Sequence, residues 1–253
     1  MTTEPTPLRD PRGSIALVGA GPGAADLLTL RALERIRAAD LICYDRLVDP
    51  AVLAHARPEA ERIYVGKEVG RHAWPQERIC ALITAAARAG RRVVRLKSGD
   101  PSIFGRAAEE LAAARAAGVA VEIVPGITAA SAAAAALGRP LTERGETDAL
   151  VVATGMCRPG DDDPDWGALA RAGCTVALYM AVGRLAEIRE QMLASGVEAD
   201  CEVEIVCAAS TGREQVIRTV LGRLGAETQG VVAPAILLLR RPKRAAARLR
   251  CAG

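Results

Sequence analysis

The sequence is poor in lysine, histidine and aromatic residues. Only 2% of its 253 residues are Phe, Trp or Tyr, and only two are histidine. Lysine supplies three of the 33 basic residues, Lys67, Lys97 and Lys243, so arginine supplies the other 30. Nucleic-acid-binding proteins use basic stripes and stacking rings. A formal net charge of +3 with so few rings disfavours that class and leaves a small or acidic ligand.

The sequence also has no cysteine framework and no membrane-length apolar run, and its first residues predict no signal peptide. Seven cysteines are scattered without a CxxC pair, and only His55 and His72 could join them as soft ligands. This scatter favours buried thiols in a reducing compartment over a disulfide or zinc framework, so we predict no metal site. No apolar run reaches the ~18 residues of a membrane helix. Met1 to Arg12 is polar. We predict a cytoplasmic protein that binds neither nucleic acid nor membrane.

The pattern of short β-branched runs and Ala-rich amphipathic stretches predicts an α/β protein with mostly parallel sheets. We predict two α/β domains, residues 13–125 and 126–242, with flexible tails at residues 1–12 and 243–253. The predicted strands are Ile15–Val18, Leu41–Tyr44, Arg62–Val65, Val93–Lys97, Val121–Val124, Ala149–Ala153, Thr175–Tyr179, Val203–Cys207 and Ala235–Leu239. The predicted helices include Asp26–Ala38, Thr128–Leu137, Leu185–Ala194 and Thr219–Glu227.

A glycine-rich turn, Gly19-Ala20-Gly21-Pro22-Gly23-Ala24, follows the first predicted strand. It fits the GxGxxG/A dinucleotide pattern with Asp45 as the ribose acid, which makes a nicotinamide or flavin oxidoreductase one alternative. Pro22 removes a backbone donor from the turn, and Asp45 belongs to a longer string, Tyr44-Asp45-Arg46-Leu47-Val48. Both observations disfavour the dinucleotide interpretation. A tight strand-to-helix connection without a ligand is a second alternative.

Two more segments place charged residues just after predicted strands, where α/β sheets bind ligands. Lys67 follows the third strand, and its alternative is an ordinary exposed lysine. The densest segment runs from Arg95 to Arg106 and contains a Gly-Asp-Pro turn. There we expect Asp100 to accept ribose hydroxyls and Glu109, three residues beyond Arg106, to orient that arginine. The alternative is a capped turn with a surface ion pair.

Seven segments, taken in order, resemble the tetrapyrrole methylase family. They are Gly19–Gly23, Tyr44–Val48, Val65–Lys67, Pro75–Glu77, Arg95–Arg106, Pro125–Ser131 and Pro140–Thr142. The resemblance runs from about Ser14 to Leu239. It implies two α/β domains with S-adenosylmethionine bound in the cleft between them, in a homodimer.

The Tyr-Asp-Arg-Leu-Val and Gly-Asp-Pro-x-Ile-Phe-Gly-Arg strings resemble the subgroup that methylates uroporphyrinogen III at C2 and C7 to give precorrin-2. The resemblance implies that Asp45 accepts a proton, Lys67 donates one and Arg106 is a rival base. It places the cofactor against Pro22, Ser98, Gly99, Asp100, Ile103, Thr128, Ala129, Met180, Ala209 and Ala235, and the substrate against Arg46, Arg106, Glu109, Arg144 and Met156.

The substrate's eight carboxylates suit a site rich in cations. We predict that six such residues line the cleft: Arg46, Lys67, Arg95, Lys97, Arg106 and Arg144. The second half departs from the family pattern at Glu143, Gly145, Met156, Ala181 and the Ala209–Thr211 segment. These departures leave two alternatives open, another precorrin methyltransferase and a non-catalytic module that keeps the cofactor fold.

Overall fold

The computed structural model describes residues 13–66, 74–157 and 160–243. It divides into two compact units, with the division between Thr128 and Ala129. The first unit is built on β1 (Ser14–Gly19), β2 (Leu41–Tyr44), β3 (Glu61–Tyr64), β4 (Arg92–Lys97) and β5 (Ala120–Val124). These strands form one sheet in the order β3-β2-β4-β1-β5, and every neighbouring pair is parallel. The predicted parallel sheet is therefore confirmed for this unit.

Helices cover both faces of the first sheet, so its central strands β1, β2 and β4 are buried on both faces. They are α1 (Leu30–Ala38), α2 (Pro50–Leu53), α3 (Gln76–Arg88) and α4 (Ala107–Ala116). Ile36 packs against one face and Ile83 against the other. The first helix starts later than predicted because Ala25–Leu27 forms a 3-10 turn and the Thr29 side chain accepts from Ala32 N, which caps α1.

The second unit has a mixed sheet, so the prediction of a mostly parallel sheet is wrong here. Its strands are β6 (Ala149–Thr154), β7 (Cys174–Tyr179), β8 (Glu202–Cys207), β9 (Gln215–Val220) and β10 (Ala235–Arg241), in the order β6-β7-β10-β8-β9. Only β6 and β7 pair in parallel, whereas β10 runs antiparallel to β7 and β8, and β9 antiparallel to β8.

The helix predicted at Thr219–Glu227 is also wrong. The segment Gln215–Val220 forms β9, and a short 3-10 turn at Leu221–Arg223 follows it. Val216, Ile217 and Val220 are β-branched and half-buried, which suits a strand paired with β8. Pairing of β9 with β8 therefore overrides the helical propensity predicted for residues 219–227.

The helices of the second unit are α5 (Ala129–Leu137), α6 (Trp166–Leu169) and α7 (Leu185–Ala194). The alanines of α5 pack closely on one sheet face, against Ala177, Val206 and Leu238. Trp166 fills the core on the other face. Within the described ranges, no helix has the length and apolar character needed to cross a membrane.

Candidate active site

The carboxyl ends of parallel strands lie at one edge of a sheet, where open α/β folds bind ligands. The first sheet brings the predicted residues of its unit to that edge. The loops concerned follow β1, β2, β4 and β5, and they carry Pro22, Asp45, Arg46, Ser98, Gly99, Asp100, Ile103, Arg106 and Thr128. Lys67 follows Gly66 after β3, and it lies outside the described residues together with His72.

Three glycines allow the loops after β1, β4 and β5 to approach one another. Gly21 and Gly99 exchange backbone hydrogen bonds of 3.3 and 2.7 Å. A Cβ atom on Gly126 would lie 2.2 Å from the carbonyl oxygen of Gly99, and one on Gly19 would lie 2.6 Å from Gly126 Cα. No side chain fits at Gly19 or Gly126 without moving backbone. We call Gly19, Gly99 and Gly126 the glycine junction.

Asp100 ties two of these loops together. Its Oδ1 accepts from the backbone nitrogen of Ser102 at 2.7 Å, and its Oδ2 accepts from the backbone nitrogen of Gly126 at 2.9 Å. This arrangement matches the capped turn given as an alternative. Each carboxylate oxygen has a further lone pair, so ribose binding by Asp100 stays a prediction.

The strand order does not match a dinucleotide-binding sheet. In that fold the first strand neighbours the second, which brings the ribose acid beside the glycine turn. Here β4 lies between β1 and β2, so Asp45 is separated from Gly19 by two strand spacings, or about 9.5 Å. The oxidoreductase alternative requires Asp45 beside the glycine turn, and the strand order does not place it there.

The Asp45 carboxylate is partly exposed to solvent and is held in a fixed orientation. One terminal nitrogen of Arg95 donates to both oxygens of its carboxylate, at 2.8 and 2.7 Å. The Asp45 side chain is 33% exposed, whereas the Arg95 side chain is 3% exposed. Arg46, the next residue, is exposed. A Cβ on Gly66 would lie 2.7 Å from the backbone nitrogen of Arg46, so the residue before Lys67 lies beside this loop.

Arg95 and Lys97 do not line a ligand cleft, which corrects the prediction made for them. Both side chains point to the same face of β4, where Glu110 on α4 covers them and accepts from both. Burial, reinforced by the nearby Arg95 guanidinium, lowers the pKa of Lys97. Neither side chain is available to a substrate carboxylate.

Arg106 stands at the N-terminus of α4 with a left-handed backbone, φ 55°. Its Nε donates to Glu109 Oε1 at 2.9 Å, the contact through which Glu109 is predicted to orient it. Both side chains are partly exposed, at 49% and 33%, so the contact is also the surface ion pair given as an alternative. Phe104 has a positive φ of 50° in the same loop. Strained backbone of this kind clusters at ligand-binding sites.

The second sheet gathers its predicted cofactor residues at one edge as well. β6, β7 and β8 run in one direction and β10 in the other, so the ends of the first three lie beside the start of β10. The residues at this edge are Met156, Met180, Ala209 and Ala235, and Tyr179 accepts there from Ala130 N, one residue after Ala129. Met180, Ala208 and Ser210 have positive φ angles of 55°, 45° and 61°.

Arg144 lies apart from that edge. It belongs to the turn between Glu143 and Thr147 that precedes β6. Glu143 accepts from Arg240, a buried residue near the end of β10, so the turn lies at the opposite edge of the sheet from Met180. A cavity of about 10 Å³ beside Arg240 contains none of the predicted site residues. Substrate binding by Arg144 stays a prediction.

Sequence reasoning missed Glu110, which is fully buried between α3, α4 and β4. A signal was present, because Ala107, Glu110 and Ala114 are spaced i, i+3, i+7 on one helix face. A carboxylate within an otherwise apolar stripe predicts a buried, paired charge. Among the described residues, no group of three or more His, Cys, Asp or Glu side chains is placed to hold a metal ion.

The fold and its strand-end loops define a two-domain α/β protein of the methylase type. The model of the tetrapyrrole (corrin/porphyrin) methylases matches residues 14–225, and the chain belongs to this family. The predicted family is therefore confirmed.

Relatives and solved structures agree with this family. The chain is 45% identical over 227 residues to a siroheme synthase of Tolumonas auensis and 43% identical over 232 residues to one of Salmonella paratyphi B. These matches cover 90% and 92% of the chain but 48% and 50% of the relatives, so the chain spans about half their length.

Among solved structures, the uroporphyrin-III C-methyl transferase of Thermus thermophilus, complexed with S-adenosyl homocysteine, is 38% identical with a TM-score of 0.77. That match covers 90% of this chain and 92% of the other. A cobalt precorrin-4 methyltransferase is 29% identical with a TM-score of 0.79, and it covers 90% and 94%.

Proposed function

We propose that this chain catalyses the S-adenosylmethionine-dependent methylation of uroporphyrinogen III at C2 and C7, giving precorrin-2 for siroheme and cobalamin biosynthesis. The observation that carries the proposal is the 38% identity to the Thermus thermophilus methyl transferase over 92% of that chain. The siroheme synthases are about twice as long as the matched region, so the proposal concerns the methyl-transfer step alone.

S-Adenosylmethionine supplies a methyl group already activated on a sulfonium sulfur. The chain must hold a pyrrole carbon in line with that methyl group and remove a proton as the ring is alkylated. We assign proton acceptance to Asp45, because its carboxylate is anchored on one side and exposed on the other. We assign proton donation to Lys67, and Arg106 is the rival base.

The carboxylates of the substrate require exposed cations. Arg46 and Arg106 are exposed at the edge that carries Asp45, and Glu109 orients Arg106. An arginine–carboxylate hydrogen bond is worth ~1.5–3 kcal/mol, so a few such pairs suffice to orient a macrocycle. Met156 completes the proposed substrate contacts at these edges. Substrate binding by Arg144 would require the macrocycle to reach the opposite edge of the second sheet.

The residues present fit the cofactor by one structural criterion. The glycine junction packs the backbones of three strand-end loops directly against one another, since a Cβ on Gly19 or Gly126 would meet backbone atoms, and this packing fixes the shape of the loops that would contact the cofactor. We assign Pro22, Ser98 and Ile103 to the cofactor on the first unit. On the second, small residues such as Ala129, Ala209 and Ala235 offer flat apolar contact to adenine.

Anaerobic incubation with uroporphyrinogen III and S-adenosylmethionine tests the proposal. We expect a product that has gained two methyl groups by mass. Calorimetric titration with S-adenosylhomocysteine should show saturable binding, and its absence would overturn every methylase assignment. Binding without methyl transfer would instead indicate the non-catalytic module.

Another precorrin methyltransferase is the second candidate. The precorrin-4 methyltransferase matches the backbone as well as the Thermus enzyme does, with TM-scores of 0.79 and 0.77. Its lower identity, 29% against 38%, favours uroporphyrinogen III. Methylation of a later precorrin in preference to uroporphyrinogen III, judged by competition and product mass, would reverse this choice.

Cytoplasmic location and a homodimer belong to the same proposal. The six cysteines in the described part of the chain are all free thiols, which supports a reducing compartment. The dimer is supported by the family resemblance, and sedimentation equilibrium of the purified chain tests it.

A further inference from the structure

The interior of the first unit contains three charged side chains that no step of the proposed reaction uses. Arg95 and Lys97 are each 3% exposed, and Glu110 is fully buried. Charges this far from water are stable only when they are paired and hydrogen-bonded. Replacing such an array by apolar residues is often neutral or stabilising, so stability alone does not account for it.

Glu110 organises the array. Its Oε1 accepts from Arg95 Nε at 3.1 Å and from Gln76 Nε2 at 3.1 Å. Both of its oxygens accept from Lys97 Nζ, at 3.0 and 2.9 Å. One carboxylate on α4 thereby holds two cations of β4 and the first residue of α3.

Arg95 connects this buried array to the Asp45 carboxylate at the candidate site. Its Nε is held by Glu110, and one terminal nitrogen donates to the carbonyl oxygen of Leu96 at 3.0 Å. The guanidinium is planar, so these two contacts fix the third nitrogen, which donates to both oxygens of Asp45. The Asp45 carboxylate is oriented from the interior while a third of its side chain stays exposed.

We propose that Arg95 is a positioning residue for methyl transfer, which fixes the Asp45 carboxylate and is itself fixed by Glu110, whose carboxylate also holds Lys97. The inference rests on the proposed function, in which Asp45 accepts a proton. A reacting group misplaced by about 1 Å costs about 100-fold in rate. Since Arg95 is buried and does not reach the substrate, its loss acts on kcat through Asp45.

A double-mutant cycle in the full chain tests this. Arg95→Lys keeps the cation that Glu110 requires but lacks the fork that also reaches Asp45. We expect it to lower kcat about 10- to 100-fold with KM for both substrates changed less than about twofold. In an Asp45→Asn background the same change should lower kcat no further. A purely structural Arg95 would give independent losses in both backgrounds, and that result overturns the inference.

Arg92→Lys is the matched control, because Arg92 starts the same strand but is half exposed and pairs with Asp40. It should leave kcat unchanged. If thermal melting shows that Arg95→Lys does not fold, Glu110→Gln replaces it in the double-mutant cycle. The neutral amide keeps the shape of the Glu110 side chain and one acceptor oxygen. Its smaller kcat loss should vanish in the Asp45→Asn background, and persistence there overturns the inference. A wild-type chain without methyl transfer overturns the proposed function and this inference together.

Discussion

The two units collect their predicted site residues at a sheet edge in the same way but offer different chemistry there. The edge of the parallel sheet carries ionised groups, Asp45 and Arg106 among them, and one of these is anchored by buried charges. The edge of the mixed sheet carries thioethers and small residues, with Met156 and Met180 exposed by 59% and 45%. We infer that the first unit supplies the charged groups of the proposed site together with part of the cofactor contacts, whereas the second unit supplies apolar surface.

Backbone strain is common to both edges. In the part of the chain that the structure describes, the non-glycine residues with positive φ all lie in these strand-end loops. They are Phe104, Arg106, Met180, Ala208 and Ser210. Such conformations cost roughly 1–3 kcal/mol each and persist where the surroundings impose them. The two edges therefore differ in chemistry but share a strained, preorganised backbone.

The largest expected effect tests the charged edge of the first unit. Asp45→Asn should lower kcat by about 10²–10⁴ because it removes the proton acceptor, and S-adenosylhomocysteine affinity should stay the same. Asp49→Asn in the same loop is the control, since Asp49 caps α2 through Ala51 N and asparagine caps equally well. Steady-state rates and calorimetry measure both. Equal rates for the two variants would contradict the assignment.

The next effect tests whether the glycine junction belongs to the first unit's site. Gly126→Ala places a Cβ against the Gly99 carbonyl, and we expect a loss of about 1–3 kcal/mol of unfolding free energy with weaker S-adenosylhomocysteine binding. Gly183→Ala in the second unit is the control, because its Cβ meets no atom within 4 Å. Denaturant melts report the difference. Unchanged cofactor affinity in Gly126→Ala would separate the junction from the site.

Met180→Gly tests the apolar edge of the second unit. Glycine relieves the positive φ at this position, so after its own entropy cost we expect a stability gain of about 1 kcal/mol. S-Adenosylhomocysteine binding should weaken, because the thioether surface is lost. Met156→Gly is matched in exposure and lacks the positive φ, so it should give no gain in stability. Tighter cofactor binding by Met180→Gly would contradict the assigned role.

The smallest expected effect concerns the edge of the first sheet opposite the site. The Arg92 guanidinium, with Arg57 beside it, holds the pKa of Asp40 well below its usual range. Because the folded pKa is depressed, this contact stabilises the chain above about pH 4 and the stability is lost as the pH falls below that value. Asp40→Asn should cost about 0.5–1 kcal/mol at pH 7 and flatten the acid limb of a stability profile.

The matched control for that profile is Asp148→Asn, whose partner Lys243 is half exposed in the second unit. It should change stability less than Asp40→Asn does. Methyl transfer should be unaffected in both variants, because neither residue lies at a site edge. A loss of activity in Asp40→Asn would show that the two edges of the first sheet are coupled.

Much of the first unit could be predicted from local pattern. The five strands match the predicted ranges to within one residue at each end, whereas α1 begins at Leu30 and not at the predicted Asp26. The second unit was harder, because β9 is half-buried at a sheet edge and its antiparallel pairing with β8 depends on contacts distant in sequence.

Local pattern signals the burial of Glu110 on α4, but it does not identify Arg95 and Lys97 as the partners of that charge. Arg95 and Lys97 follow the alternation expected of a strand that ends at a ligand edge, and nothing near them in sequence says which face will be covered. Glu110, which lies 13 residues beyond Lys97 on α4, covers the face that carries both cations. This follows only from the packing of α4 on the sheet.

The sequence by itself determined the strands of the first unit, the glycine-rich turn that follows β1, and the family. These depend on residues near one another in the chain, whose propensities act locally. The tertiary structure alone decided that β4 separates Asp45 from the glycine turn, that the second sheet is mixed, and that Arg95 and Lys97 are buried, with Arg95 anchoring Asp45. Strand order and burial are set by non-local pairing and by the high cost of leaving a buried charge unpaired.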